Sequence, residues 1–482
     1  MKKLVALLLC LSLIITSAAA LAAGIGTPEA PVKVTWMNKD VNNEDADAQA
    51  VMTAIEQGMA AQGNYVDLEI VDPPAGKYVE VVPLAFRTGE LNPDIIYFQG
   101  NTDGPVVAEG LLQDLTSYIE GSAHVKNMLG EHSKARLASQ PYLLWLAPAK
   151  YFAPVMRADV LEKAATTKDA FLADPTPDNY YALLKELKDN GTVKMGVTVD
   201  GGLARLDSIF NQAFGVSATI VKDGDKWVYA KVTEAEKNKL AFYAKLYADG
   251  LLDPDYITKA WDTMEQAFYD GDAALIAGTA GDVIQVYNTK MVSLHGEGAA
   301  LVALPPAKGV GFAYTAIDVT KEERGFAINA SSAQEVKDAA FAVLDYMASP
   351  EGRMLDKLGV QGTHYTLADN NVTFTEAWGG YWARFFPTVN GLPAELTYTT
   401  PVLSPAASDS LTLGEQYYAQ DTNVILPEEL APLASAISAI YTEYANEIVR
   451  GVRPIDDFAE MVEKINAAGG DQLSEYFATV LK

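Results

Sequence analysis

The chain predicts an α/β fold with a mainly parallel sheet, on three observations. Short β-rich runs alternate with segments of helical spacing from Val32 onward. The composition, 49% hydrophobic and 21% charged, is that of a globular protein. The 482 residues suffice for two domains or one large bilobed body, at about 100–200 residues per domain.

The elements follow in order. Val32–Trp36 is a short β-rich run ending in a polar tip, Asn38, Lys39 and Asp40. Ala48, Val51, Met52, Ile55 and Met59 fall at helical spacing until Gly63 and Asn64 break it. Val66, Leu68 and Ile70 alternate as in a half-buried strand, and a helix is expected over Lys77–Arg87, stopping at Gly89. Pro93 precedes a buried-type strand, Asp94–Phe98, which opens into Gln99-Gly100-Asn101-Thr102. Strand-like segments at Tyr142–Leu146 and Ala299–Leu304 run into prolines and mark the expected crossovers between lobes.

Further along, Thr176-Pro177 supplies an N-cap and a first-turn proline for a helix striped by Tyr180, Tyr181, Leu183, Leu184 and Leu187. Thr233 with Glu236, and Ser332 with Glu335, have capping-box spacing ahead of apolar stripes. Asp223-Gly224 reads as a hairpin turn. Helices are expected over Pro427–Val449 and Pro454–Ala467, and no internal repeat is present.

The N-terminus has Lys2 and Lys3, an apolar run from Leu4 to Ile15, and a small-residue end reaching Ala23, the three parts of a secretory signal peptide. The run falls short of the roughly 20 apolar residues a membrane span needs. Residues 1–23 are therefore expected to be cleaved, sending the chain to a periplasm or the cell exterior. Cys10, the only cysteine, lies inside the apolar run with Leu9 before it, so it is read as part of the signal rather than as a lipid attachment point. No disulfide or cysteine-based metal site is then available. The formal net charge is −27, and cleavage would remove two more lysines and no acids. Such acidity argues against nucleic acid and anionic membrane surfaces, which are bound through Lys and Arg.

Catalytic and metal signatures are missing. The histidines His124, His132, His295 and His364 form no HExxH or close ligand cluster, and no G-x-S-x-G, Walker loop or G-x-G-x-x-G occurs. Asn38–Glu44 is oxygen-rich in the manner of a calcium loop but lacks its sixth-position glycine. With 63 Asp and Glu, a pair of carboxylates reads first as solvated surface. No cofactor, metal or catalytic residue is expected. The 24 Tyr, 16 Phe and 6 Trp, with amides and carboxylates, suit a neutral polyhydroxy ligand, although most rings must be core. The run Trp378-Gly379-Gly380-Tyr381-Trp382-Ala383-Arg384-Phe385-Phe386 puts large rings among glycines, as on a functional loop.

Several stretches resemble one family, the extracellular solute-binding proteins of bacterial ABC importers in the maltose-binding-protein-like class. Val34-Thr35-Trp36-Met37-Asn38 is similar to its first strand and tip, and Phe86–Tyr97, with Asn92-Pro93-Asp94, to its hallmark segment. Gly110–Leu115, Arg157–Leu161, Leu246–Pro254, Ala267–Ala274, Phe326–Ala330 and Ser349–Gly352 continue the likeness in order. The resemblance implies a two-lobed periplasmic-binding-protein-like fold of type II, with residues 30–147 and 305–350 in one lobe and 148–304 and 351–482 in the other. It implies ligand held between hinged lobes that close on it, a monomer, delivery to the transmembrane subunits of an ABC permease, and no catalysis.

Carried over by position, the ligand-facing residues would be Asn38 and Asp40, then Phe98, Gln99 and Asn101, then Gly278–Asp282. Where maltose-type relatives place a tryptophan, this chain has Thr279-Ala280-Gly281-Asp282. Trp378, Tyr381 and Trp382 are the expected substitute platform, with Arg205 and Trp261 as further candidates. The expected ligand is a sugar or oligosaccharide. The alternatives are a secreted carbohydrate-active enzyme, or a binder of a cationic solute such as a polyamine, the latter suggested by the acidic tip Asp40, Glu44, Asp45 and Asp47.

Overall fold

The computed structural model describes residues 24–39, 41–76, 78–99, 104–130, 133–134, 137–138, 141–146, 151–315, 325–381, 392–424, 426–427 and 429–481. The expected signal segment lies outside them. Contacts divide the chain into two compact units, Met1–Pro148 with Lys321–Pro401 and Ala149–Thr320 with Val402–Lys482.

In the first unit, Gly325–Ile328, Ile95–Phe98, Val32–Met37 and Val66–Ile70 form one sheet in that order. Val32–Met37 runs parallel to both neighbours, with Val34 opposite Leu68 and Trp36 opposite Ile95, and Gly325–Ile328 is antiparallel. Strands in such a sheet need cover on both faces, and Ile95–Phe98 and Gly325–Ile328 are buried at every position. Helices Ala46–Ala61 and Gln334–Ala348 supply apolar stripes to this core, the first through Ala48, Val51, Met52, Ile55 and Met59. Asp45 starts the first helix by accepting from the amides of Asp47 (2.9 Å) and Ala48 (3.3 Å).

The Pro-Asp segment has a structural purpose here. Asp94 accepts from the Thr35 amide (2.9 Å), the Thr35 hydroxyl (2.7 Å) and the Ser332 hydroxyl (2.6 Å). This corrects the capping box expected at Ser332. The helix begins after Ala333 with no side-chain cap, because the serine hydroxyl is engaged by Asp94. Of the expected strand Tyr142–Leu146, only a bridge forms, Leu144 opposite Phe326.

The units also divide the chain differently from the expected lobes. Residues 351–401 join the first unit: helix Pro350–Leu358 packs on Ala46–Ala61 and Gln334–Ala348, and the buried His364 Nε2 lies 3.1 Å from Asp47 Oδ1. A hairpin of Tyr365–Ala368 and Asn371–Phe374 follows, turning on Asp369 and Asn370 at φ 50° and 61°, and Thr397–Tyr398 joins its sheet. Residues 305–315 stay with the second unit, where Tyr314 stacks on Tyr151 at 4.7 Å.

The second unit carries a sheet ordered Met195–Thr198, Ala273–Thr279, Phe152–Arg157, Leu301–Ala303. The first pair is parallel and the other two are antiparallel. Thr176 caps helix Pro177–Asp189 through the Asn179 amide (3.2 Å), and Thr233 caps Glu234–Ala248 through the Glu236 amide (3.4 Å). Glu236 does not close that box. Its carboxylate turns into the core, 3.0 Å from Lys239 Nζ. The hairpin Ile220–Asp223 and Lys226–Tyr229 forms around Gly224, at φ 59°. The closing helices are Ala431–Val449, which starts four residues after Pro427, then Phe458–Ile465 and a further helix, Asp471–Val480, that the sequence reading did not include. Among the described residues no helix is long and apolar enough to cross a membrane.

Candidate functional site

The carboxyl ends of the two parallel strands in the second unit collect chemistry at one edge of its sheet. Met195–Thr198 leads into Asp200 and the turn Gly201-Gly202, whose φ values of 59° and 133° need glycine, before helix Ala204–Phe214 brings in Arg205. Ala273–Thr279 ends at the same edge, and Phe152 opens the antiparallel strand opposite Thr279. A segment anchored by Asp253 enters from the side. This buried carboxylate accepts from the Thr198 hydroxyl (2.8 Å) and pairs with Lys259 Nζ (2.6 Å), so it holds the chain two residues before Trp261.

Arg205 is the centre of the arrangement and is 3% exposed. Its Nε donates to Asp200 and its Nη1 to the carbonyl of Ala277. Its guanidinium carbon lies 4.5 Å from the Phe152 ring centroid and 4.4 Å from that of Trp261, a flat cation between two aromatic faces. Trp261, at the start of helix Trp261–Tyr269, is 41% exposed. An exposed indole is informative where an exposed leucine is not, because so much apolar surface is rarely left in water.

Glu265 stands one helical turn after Trp261 on the same face. Burial pushes its carboxyl above the usual carboxylate range, against the opposing pull of Tyr287, Trp261 and Arg205. Tyr287, on helix Asp282–His295, is fully buried. Among the described residues, the group its hydroxyl faces is Glu265. Gly278 makes room for that ring: a Cβ there would stand 2.6 Å from Tyr287 Cε2. Among the described residues no group of three or more His, Cys, Asp or Glu gathers as a metal site.

Within the second unit the structure brings Arg205 and Trp261 together. Asp282 is exposed in the first turn of its helix, where a carboxylate suits the helix dipole. In the first unit, Phe98 is 1% exposed and meets Phe86 edge-on at 6.2 Å, so its ring is core rather than ligand surface. Tyr381 is likewise engaged, with its hydroxyl donating to the Leu355 carbonyl (2.6 Å) and its ring 4.7 Å from His364. Trp378 stacks on Phe374 at 4.0 Å. Asn38 is buried and accepts from the Lys39 amide (2.7 Å), whereas Gln99 has a buried Oε1 with no partner among the described residues. Asp40, Asn101 and Trp382 lie outside the described residues. Two acids of the tip have structural work, Asp45 as helix cap and Asp47 beside His364.

Phe152, Asp200, Glu265 and Tyr287 were not singled out by sequence reasoning. The signal available for Glu265 was its i+4 spacing from Trp261; the other three have none.

A family model described as bacterial extracellular solute-binding protein matches residues 38–354. No curated protein matches the sequence. Among solved structures, the N-glycan transport solute binding protein (NgtS) from Streptococcus pneumoniae is 14% identical, with 92% of this chain and 96% of that chain covered and a TM-score of 0.65. An HMO binding ABC-transporter associated solute binding protein from Bifidobacterium longum infantis is 15% identical, covering 92% and 97%, with a TM-score of 0.59. The alginate-binding protein AlgQ2 is 16% identical, covering 92% and 96%, also at 0.59. At these identities the likeness is one of fold, that of the two-lobed solute-binding proteins.

Proposed function

We propose, because the chain belongs to the bacterial extracellular solute-binding protein family, that it is the ligand-capturing component of an ABC importer. Exported and freed of residues 1–23, it binds a sugar or oligosaccharide and delivers it unchanged to the permease subunits, acting as a monomer. The observation that carries this reading is Trp261, an indole left 41% exposed and backed by the buried Arg205. Sugars present C–H faces that stack on such a ring, and hydroxyls that neighbouring carboxylates and amides accept or donate to. Trp261 takes the role expected of Trp378 and Tyr381, whose rings pack on Phe374 and His364. Structural neighbours named for N-glycan transport, HMO binding and alginate binding favour a glycan ligand.

A thermal-shift screen of residues 24–482 against oligosaccharides, monosaccharides and polyamines tests this. A ligand at about 100 times its Kd stabilises the folded state by roughly 2.7 kcal/mol. The expected result is a raised melting midpoint with one glycan series and no product on incubation. A shift with a polyamine alone, or turnover of the glycan, contradicts the reading.

A further inference from the structure

The exposed face of Trp261 explains stacking but not selection, and the residues behind it offer an account of selection. Trp261 and Glu265 share one face of a single helix, so a ring laid on the indole would bring its hydroxyls beside the Glu265 carboxylate. Arg205, the nearest cation, is already paired with Asp200 and bonded to the Ala277 carbonyl. Counting Arg205, Asp200 and Glu265, the subsite carries one uncompensated negative charge. Tyr287 stands behind it, fully buried, with its hydroxyl facing the Glu265 carboxylate and engaged by no other group among the described residues.

We infer that Glu265 is the acceptor for the hydroxyls of a neutral sugar stacked on Trp261, with Tyr287 as the positioning residue that holds its carboxylate, and that this pair makes the subsite select neutral over acidic glycans. The inference rests on the sugar-binding reading above. A neutral pyranose offers hydroxyl donors to a carboxylate acceptor. A uronate brings a second negative charge into a half-buried space where charge repulsion is poorly screened. The groups facing Glu265 are Arg205 and Asp200 from the Ala204–Phe214 side, Tyr287 from helix Asp282–His295, and Trp261 and Tyr269 on its own helix. Of these, Arg205, Tyr287 and Trp261 favour the ionised carboxylate, and burial and Asp200 oppose it.

The test is calorimetric titration of residues 24–482 with maltohexaose, a fructo-oligosaccharide, a mannosyl-N-acetylglucosamine glycan and oligogalacturonate between pH 5 and 8. Wild type, Glu265→Gln, Tyr287→Phe and Trp261→Ala are compared, with circular dichroism confirming that each is folded. Expected for Glu265→Gln is a loss of at least about tenfold in affinity for the neutral ligand, a flat pH profile and a narrowed preference over oligogalacturonate. Tyr287→Phe removes a donor to the carboxylate, so the pH at which neutral-glycan binding falls away should move upward. A purely structural effect of Tyr287→Phe would leave the profile unmoved and overturn the positioning role. If Trp261→Ala loses binding while Glu265→Gln keeps wild-type affinity and selectivity, this inference is overturned and the platform reading stands. If Trp261→Ala also binds as wild type, the platform reading fails with it.

Discussion

Glu265 is the residue at which the chemistry of the site meets the stability of the fold. Its carboxyl is held above the ordinary value of 4.5 chiefly by burial. A carboxyl that keeps its proton more readily in the folded chain than in the unfolded one opposes folding once ionised. That opposition is full above the raised value and disappears as the pH falls below 4.5. Glu265→Gln should therefore raise the ligand-free melting midpoint at pH 7, with the gain over wild type shrinking as the pH is lowered toward 4.5. A midpoint lower than wild type at pH 7 would mean that the charge is a structural partner of Arg205 rather than a group reserved for ligand. Arg205 differs in kind. Its hydrogen bonds to Asp200 and the Ala277 carbonyl and its two aromatic faces commit it to positioning Trp261.

At the scale of elements, the helix that carries Arg205 is pinned by a buried ionic cluster. Lys239, 1% exposed, lies 2.8 Å from Asp207, 3.0 Å from Glu236 and 2.7 Å from Asn211 Oδ1. The Tyr243 and Tyr441 hydroxyls donate to the same two carboxylates. Despite burial, the carboxylates raise the Lys239 pKa above its ordinary 10.5, so it stays charged at physiological pH. Lys239→Ala leaves the buried Glu236 carboxylate without its cation and facing the partly exposed Asp207, and denaturant unfolding should show a loss of about 3–5 kcal/mol. An unchanged unfolding midpoint would show that the cluster relaxes to water.

The same elements show what local sequence can convey. Thr176 and Thr233 cap the helices that follow them because capping needs only the next three residues. Ser332 has the same spacing and fails, since its hydroxyl is taken by Asp94, 238 positions away. The Tyr365–Phe374 hairpin was missed because four-residue strands around Asp369-Asn370 give little periodicity to read.

At the scale of the whole molecule, the α/β alternation and family were legible because many ordered segments, each weak, agree in sequence order. The site was legible only in part. Arg205 and Trp261 were named from the sequence, yet Phe152, Asp200, Glu265 and Tyr287 come from four separate segments that only the sheet edge unites. The dense aromatic run at 378–386 drew attention for its rings. Density along a chain does not distinguish a ring stacked on its neighbour, as Trp378 is on Phe374, from one left 41% exposed, as Trp261 is.

The central claim is that a glycan lies against the indole of Trp261. The measurement that tests it most directly is tryptophan fluorescence during titration of residues 24–482 with the glycan that raises the melting midpoint, set beside the same titration of Trp261→Phe. Wild type should show a saturable change that is lost in the variant, with calorimetry confirming that the phenylalanine ring still binds, more weakly. A change of equal size in the variant would place the ligand elsewhere and contradict the account.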